Sequence, residues 1–228
     1  MRWTPLHPQW LITRMQRRRL DWVAAHATGV VVDVGCADGA IASRLSMAAE
    51  YIGLDYPTTA DHLYLTRPAI YADASRLPLG NDVCDTLLLL DVIEHLVAPE
   101  AAIQEASRVL RFGGTLLITI PFSYPLHDQP HDYQRFTAYG LQQRLHGAGF
   151  SQVTLEEVGD AVTTAAANFS MAVTQGAIDA CVERRWRIIV VPIVPLVVLL
   201  ANVFGWAIGG LLPALRFMPE SYYVRAER

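Results

Sequence analysis

A short apolar run that ends in a glycine-bearing turn constrains this fold more than any other stretch. Residues 30–39 read Val-Val-Val-Asp-Val-Gly-Cys-Ala-Asp-Gly. A β-branched run without polar alternation is typical of a strand buried on both faces. Gly35 and Gly39 allow the turn to lie tight against a ligand, where a Cβ would collide. The pattern predicts a strand, a tight turn and a helix over 40–49, with a binding site at the carboxyl edge of a parallel sheet.

Further strand-like segments follow in the order expected of an α/β protein. Residues 50–55, 69–73 and 85–91 are predicted strands, and the last of these is almost wholly apolar and therefore central. Asp55 follows the first loop at about the spacing at which a carboxylate meets ribose hydroxyls in such folds. The loop itself lacks the middle glycine of the dinucleotide-binding pattern, which argues against a nicotinamide-dependent oxidoreductase.

The remaining elements alternate in the same way. A helix that opens at Pro99 is expected to end at Gly113-Gly114, before a strand over 115–120. The other predicted elements are a helix over 8–26, a helix over 138–146 capped by Thr137, a strand over 152–158, a helix over 160–185 and a last strand near 222–224. The helix over 8–26 either packs on the sheet or lies at a membrane surface. Alternation of this length favours a parallel sheet with helices on both faces.

Five segments in order resemble the class I S-adenosylmethionine-dependent methyltransferases: VVDVGCADG, YIGLD, ADASRLPL, DTLLLLDVIEHL and EASRVLRFGGTLLITIPF. This resemblance implies a Rossmann-like, doubly wound, seven-stranded sheet, mostly parallel with an antiparallel last strand, and here with an apolar helical insertion before that strand. We accordingly expect an N-terminal helix over 1–27, a core of 28–159 and 220–228, and an insertion over 160–219. Ala37 stands where the family usually has glycine.

The resemblance also implies how S-adenosylmethionine is bound. The first loop would hold the methionine part, with Asp33 fixing its ammonium. Asp55 would take the ribose hydroxyls, and Asp73 would accept from the adenine amino group. No basic residue is required, because the cofactor has no phosphate. The full predicted cofactor set is Asp33, Gly35, Cys36, Gly39, Asp55, Tyr56, Asp73, Ala74 and Asp91.

The loop over 121–137 concentrates histidine, aspartate and arginine, and it resembles the HDxPHDYxRFT stretch of bacterial methyltransferases associated with envelope glycan and lipid biosynthesis. An alcohol acceptor must lose a proton, which a histidine accepts at neutral pH. We therefore assign His127 and His131 as catalytic candidates and assign no metal. Two alternatives remain open: a divalent metal site formed by His and Asp, or an Asp132–Arg135 network that stiffens the loop.

The strand over 85–91 is followed by three polar residues, Asp91, Glu94 and His95. We expect them near the transferable methyl group, because they follow the carboxyl end of a central strand. His95 belongs to a Glu-His-Leu pattern common in the family, where the histidine is more often structural than a catalytic base.

Residues 188–215 carry no charged side chain. Proline and glycine are expected to break this run into short pieces. One interpretation is a helical hairpin in one membrane leaflet or at the interface, where a lipid-linked acceptor would arrive. The alternative is a buried cap or homodimer interface. We favour membrane contact, because exposed apolar patches of this size are unusual in soluble monomers.

Composition and charge narrow the function class. The net charge of −4 argues against nucleic-acid binding, and three scattered cysteines have no metal-ligand spacing. The first residues contain Pro5 and Pro8 and predict no secretory signal, so we expect a cytoplasmic protein, peripheral to the inner face of the membrane. The preferred function is O-methylation of a saccharide or lipid-linked envelope precursor. The alternatives are a non-catalytic S-adenosylmethionine-binding module and the oxidoreductase named above.

Overall fold

The chain folds around one seven-stranded sheet in a computed structural model that describes residues 3–46, 49–183 and 186–228. The strands are β1 (Val30–Val34), β2 (Glu50–Asp55), β3 (Ile70–Tyr71), β4 (Cys84–Leu90), β5 (Leu110–Pro121), β6 (Val153–Val158) and β7 (Ser221–Glu227). The helices are α1 (Trp10–Met15), α2 (Arg19–His26), α3 (Pro99–Val109), α4 (Ala138–Gly147), α5 (Ala161–Val182) and α6 (Val194–Leu211).

The strand order is β3-β2-β1-β4-β5-β7-β6. Strands β1 to β5 pair in parallel. Strand β7 is antiparallel to β5. Arg228 N donates to Gly114 O, and Ser123 N donates to Glu220 O, so the residue numbers of β7 fall as those of β5 rise. The order reverses between β1 and β4, which is where open α/β sheets bind their ligands. The predicted fold class is confirmed.

The chain divides into two compact units. The larger unit comprises Arg18–Phe122, Leu126–Glu156 and Tyr222–Arg228. The smaller unit comprises Met1–Arg17, Ser123–Pro125 and Glu157–Ser221.

The core of the larger unit lies on both faces of the sheet. Val31 and Leu88 pack with Val23 of α2 on one face. Val32 and Leu87 pack on the other face, in a cluster that also contains residues of α3 and α4. Successive strand residues point to opposite faces, so burial of both faces requires the continuous apolar run seen in the sequence.

Helices α5 and α6 pack closely within the smaller unit. A Cβ at Gly205 would lie 2.3 Å from Ala166 Cβ, and one at Gly209 would lie 2.3 Å from Thr163 Oγ1. The two helices are antiparallel, because Gly205 meets Ala166 whereas Gly209, further along α6, meets Thr163, which comes earlier in α5. The glycines therefore allow the two backbones to approach, as in small-residue helix contacts.

A buried asparagine fixes α6 within this unit. Asn202 is fully buried, and its Nδ2 donates to the carbonyls of Pro5 and His7 at 2.8 and 3.0 Å. Its Oδ1 accepts from Ser170 Oγ of α5 at 3.1 Å. One face of α6 is thereby held against α5 and the N-terminal segment by satisfied polar contacts.

Several predicted elements differ from the structure. The expected helix over 40–49 reduces to a 3-10 turn at Ala42–Arg44, where Ser43 Oγ bonds the Ala40 carbonyl and so competes with helical pairing; residues 47–48 lie outside the described residues. The helix over 8–26 is split by a 3-10 turn at Gln16–Arg18. Its halves face different partners, since Leu11 packs with Ala167 and Val23 packs with Val31.

Two glycine arguments were also wrong. Helix α3 ends at Val109, and Leu110 already belongs to β5, so Gly113 and Gly114 lie inside a strand. Helix α6 continues through Gly205, Gly209 and Gly210 instead of breaking there, because packing on α5 outweighs their weak helix propensity. Thr137 does cap α4, accepting from Gly140 N at 3.1 Å.

Candidate functional site

The turn after β1 is tight and requires glycine at its first position. Gly35 has φ +78°, and a Cβ there would lie 2.5 Å from Val92 Cγ2. The backbone N–H groups of Gly35 and Cys36 both donate to the carbonyl of Leu54, at 2.8 and 3.0 Å. The collision that excludes a side chain is therefore with Val92. Ala37 also lies in the left-handed region, at φ 49°.

Asp55 ends β2 and closes this turn. Its carboxylate is 3% exposed; Oδ2 accepts from Ala37 N at 2.8 Å and Oδ1 from Tyr56 N at 2.7 Å. A carboxylate oxygen accepts more than one hydrogen bond, so both oxygens keep capacity for a ligand. The two strand ends are thus linked through the residue that the sequence analysis predicted for a ribose.

Asp33 lies one strand away and is almost fully buried, with 2% exposure. Its Oδ2 accepts from the Tyr51 hydroxyl at 2.8 Å. Burial raises the pKa of Asp33 to about 6, although the bond from Tyr51 opposes this rise. A buried carboxylate of this kind is stabilised by a cation, because an opposite charge favours its ionised form.

The other predicted cofactor residues vary in their surroundings. Asp73 is exposed, and its Oδ1 accepts from the backbone N and Oγ of Ser75. Tyr56 is 52% exposed, whereas Cys36 and Ala74 are buried. Burial raises the pKa of the Cys36 thiol to about 12, so this thiol is not a nucleophile at neutral pH. Gly39 has φ +66°, in the left-handed region, and a Cβ there would meet only the Tyr51 hydroxyl, at 3.7 Å.

Asp91 has a protein partner that the sequence analysis missed. It forms an ion pair with Arg19 of α2 and accepts from Thr119 Oγ1 at 2.8 Å. In the sequence, Arg19 lies on the apolar side of the helix predicted over 8–26, and a charged residue in that position indicates a partner of opposite charge. Asp91 can still face a ligand, but part of its charge is balanced by Arg19.

The 3-10 turn Ile93–His95, after β4, places a carboxyl group inside the protein. The Glu94 side chain is fully buried, and neither oxygen has a hydrogen-bond partner in the described residues. Burial raises the pKa of Glu94 well above its usual range, and the nearby Asp91 adds to this rise. The position of Glu94 in the sequence predicts that it lies near the transferable methyl group, but the sequence indicates no role for it.

The two catalytic candidates lie in different environments. His127 is partly buried, and its ring meets that of His95 edge-on with centroids 4.8 Å apart. His131 is exposed, and its Nδ1 lies 3.1 Å from the Tyr133 hydroxyl. His127 therefore contacts a residue that follows β4, whereas His131 pairs with Tyr133 of its own loop.

The Asp132–Arg135 pair stiffens the same loop, as one of the alternatives predicted. Arg135 donates from both terminal nitrogens to the Asp132 carboxylate, at 2.5 and 2.7 Å. This guanidinium lowers the pKa of Asp132 to about 2. Bidentate pairs of this geometry hold a loop in a defined shape.

The sequence of this chain is similar to those of known methyltransferases. Residues 32–118 match a family model described as a methyltransferase domain. A Mycolicibacterium smegmatis protein named "Probable S-adenosylmethionine-dependent methyltransferase" is 33% identical over 132 residues, covering 53% of this chain and 51% of that protein. The ubiquinone biosynthesis O-methyltransferase of Erwinia tasmaniensis is 24% identical over 129 residues, covering 50% of this chain and 51% of that protein. This chain thus spans about half the length of the curated relatives it matches.

Solved structures share the fold over most of the chain. A crystal structure of a SAM-dependent methyltransferase from Archaeoglobus fulgidus aligns with TM-score 0.58 at 16% identity, covering 96% of this chain and 94% of that one. The chain therefore has the Rossmann-like fold of the methyltransferases. The segment that matches the family model contains β2, β3 and β4 in full and parts of β1 and β5.

Proposed function

We propose that this protein is an S-adenosylmethionine-dependent methyltransferase acting on a hydroxyl group. One observation supports this more than any other: Asp33 and Asp55 are buried carboxylates at the ends of adjacent parallel strands, next to the matched family's first loop. S-adenosylmethionine offers hydrogen-bond donors and positive charge, which are the groups that buried carboxylates bind.

The residues fit the cofactor chemically. An ammonium needs an anion, and the buried Asp33 carboxylate has only the Tyr51 hydroxyl as a hydrogen-bond donor among the described residues. A ribose diol needs acceptors, and Asp55 is preoriented by two backbone N–H groups. Asp33, Gly35, Cys36, Gly39, Asp55, Tyr56, Asp73, Ala74 and Asp91 are accordingly the proposed cofactor residues. When bound, the cofactor supplies a methyl group on a sulfonium, which an acceptor oxygen takes by in-line displacement.

The chain's own task is to position the acceptor and remove its proton. Positioning converts a two-body reaction into one within a complex, which accounts for much of the rate of such transfers. His127 is the proposed base, because it is the histidine of the acceptor loop that contacts the residues after β4. His131 is exposed and remains the second candidate; proton transfer to solvent suits that position.

The proposed acceptor is a saccharide or a lipid-linked precursor. A relative named as a ubiquinone biosynthesis O-methyltransferase supports transfer to oxygen. The α5–α6 pair also forms an open apolar groove of about 950 Å³, bounded by side chains such as Phe169, Leu200 and Phe204. Such a groove suits an acyl or prenyl chain.

We propose that α6 also contacts a membrane surface. Among the described residues, Ile188–Leu211 is the one helical stretch long and apolar enough to cross a bilayer, with mean hydropathy 2.6 and 17% buried. Yet Asn202 holds one face within the protein, and the chain returns to the sheet as β7. If the exposed face of α6 lies at the membrane interface, the other face can keep its Asn202 contacts and the chain can still return to the sheet. A helix that crossed the bilayer would instead place the polar Asn202 contacts within the hydrocarbon region.

Calorimetry and turnover test the enzyme function. The wild-type chain is titrated with S-adenosylmethionine and separately with a nicotinamide dinucleotide, and then incubated with methyl-labelled cofactor and fractionated envelope lipids and saccharides. Binding of the first ligand and label in one acceptor pool is expected. Binding without any labelled acceptor would favour the non-catalytic module, and binding of the dinucleotide alone would overturn the proposal.

Vesicle flotation tests the membrane contact. Wild-type protein is expected to float with anionic vesicles, and Phe204→Asp is expected to reduce the floating fraction because it puts a charge on the exposed face. Val97→Asp is the matched control, since Val97 is an exposed apolar residue of the larger unit. A protein that never floats and elutes as a dimer would show instead that this face is a subunit interface.

A further inference from the structure

The buried carboxyl of Glu94 needs a partner that the described residues do not supply. Its side chain is 0% exposed, and both oxygens lack a hydrogen bond, while its backbone carbonyl is satisfied by Tyr133 N at 2.9 Å. An unsatisfied buried polar group costs free energy and is rare in native proteins. Either a proton or a bound ion must compensate this one.

His95 is oriented so that its Nε2 approaches this carboxyl. Its Nδ1 lies 2.9 Å from the backbone carbonyl of His131, which can only accept, so Nδ1 carries the proton and donates. Nε2 then bears the lone pair in the neutral ring. It lies 3.7 Å from Glu94 Oε1 and 3.9 Å from Asp128 Oδ2.

His127 approaches the same point from the loop after β5. Its Nδ1 lies 3.1 Å from Asp132 Oδ2, and Arg135 holds that carboxylate by two bonds. A histidine whose Nδ1 faces a carboxylate, and another whose Nδ1 faces a carbonyl, are the arrangements by which proteins orient metal-binding imidazoles.

We propose that Glu94, His95 and His127 bind a divalent first-row transition metal ion. One ligand atom from each lies within 4.8 Å of the others. Ligands about 2.1 Å from an ion at tetrahedral angles are roughly 3.4 Å apart. The 3.7 Å between His95 Nε2 and Glu94 Oε1 is close to that spacing, whereas a pair near the 4.8 Å limit of the cluster must close by about 1.4 Å when the ion binds. Two imidazoles and one carboxylate suit zinc, iron or cobalt and do not suit magnesium or calcium.

Nearby charges favour a cation at this point. The carboxylates around the cluster are those of Asp91, Glu94, Asp128 and Asp132, and the guanidinium groups paired with them are Arg19 and Arg135. When Glu94 is ionised, as it is when it binds a metal ion, four carboxylates against two guanidinium groups leave a local excess of two negative charges, which a divalent ion balances. Asp128 is half exposed and can complete the coordination with solvent.

The ion's role in turnover rests on the proposed function, whereas its binding does not. Three protein ligands leave coordination positions open for an acceptor hydroxyl. A bound divalent ion lowers the pKa of an oxygen ligand, and it orients that ligand. With His127 coordinated to the ion, that histidine would no longer be the base, and the hydroxyl proton would pass to the exposed His131 or to solvent as the methyl group arrives.

Cobalt titration of the chelator-stripped full chain tests the inference. Calorimetry and visible absorption are expected to show one Co²⁺ per chain, with a ligand-field band and no comparable binding of Mg²⁺. Glu94→Gln and His127→Gln are each expected to lower Co²⁺ affinity by at least about tenfold, since even outer partners of a metal site are worth that much. His146→Gln is the control, because His146 lies on α4 and bonds the Phe150 carbonyl.

Cofactor binding, measured on the same samples, separates the two proposals and reports on folding. A chain that binds S-adenosylmethionine but takes up no Co²⁺ or Zn²⁺ would overturn the metal inference and assign Glu94 a proton, leaving the methyltransferase proposal intact. A chain that binds Co²⁺ but no S-adenosylmethionine would support the metal site and overturn the methyltransferase proposal. Unchanged Co²⁺ affinity in both ligand variants would also overturn the metal site, because His127 lies on a loop and its substitution is compatible with folding.

Discussion

Replacing Asp33 with asparagine should change the free energy of unfolding in a pH-dependent way, with the variant gaining relative to wild type as pH rises. The pKa of Asp33 is about 6 in the folded protein, against 3.8 for an unperturbed aspartate, chiefly because the carboxyl is buried. Between these values the folded protein keeps a proton that the unfolded chain has released. The free energy of unfolding of the wild type therefore falls as pH rises through this window.

The magnitude follows from the pKa shift. Each pH unit in the window costs about 1.4 kcal/mol, so the total is roughly 3 kcal/mol once both states are ionised. Asparagine has no such titration. It can still accept from the Tyr51 hydroxyl, and its unpaired amide adds a penalty of about 1–3 kcal/mol that does not vary with pH. The pH dependence of the difference is thus more informative than its size at one pH.

Urea unfolding of both proteins between pH 5 and pH 8 measures this difference. Relative to wild type, Asp33→Asn should gain roughly 1 kcal/mol between pH 5 and pH 6, reach a gain of roughly 1.3 kcal/mol by pH 7, and then level off. Asp38→Asn, at an exposed site in the same turn, is the control. Wild-type affinity for S-adenosylmethionine should rise through about pH 6, because the ammonium binds the ionised carboxylate. A difference that does not change with pH would refute the reasoning.

Two further substitutions test the site and the packing of the smaller unit. Asp55→Ala should weaken S-adenosylmethionine binding by about 1.5–3 kcal/mol, because it removes a charged acceptor, and unchanged affinity in calorimetry would contradict the ribose assignment. Gly205→Ala should lower stability by roughly 1–3 kcal/mol, since its Cβ would lie 2.3 Å from that of Ala166. Gly210→Ala meets open space and should raise stability by about 0.5–1 kcal/mol, so equal melting shifts for the two variants would rule out close packing.

Local patterns predicted the sheet and much of the cofactor edge. The run over 30–34 is apolar except for Asp33, and it is buried on both faces between β2 and β4, as expected of a central strand. Asp33 and Asp55 end neighbouring parallel strands, and parallel strands bring their carboxyl ends to one edge. Such predictions succeed because they depend on periodicity and chain direction alone.

Glycine was a less reliable guide than proline in the apolar segment. Pro192 lies in a separate 3-10 stretch before α6, as a broken segment requires, but packing against α5 keeps α6 continuous through Gly205 and Gly209. Intrinsic propensity amounts to about 1 kcal/mol per glycine, which a close helix contact exceeds. The sequence could not show this, because the contact depends on Ala166 and Thr163, far away in the chain.

The sequence by itself determined the fold class, the carboxyl ends of β1, β2 and β4 to within a residue, and the apolar character of residues 188–215, since these follow from local composition and order. Only the tertiary structure decided that Arg19 balances Asp91 and that His95 and His127 meet around a buried Glu94. Those partners lie on different elements, and side-chain distances and burial depend on how the elements pack. Charge pairing and coordination act over a few ångströms, so they are set by that packing and leave no local pattern in the sequence.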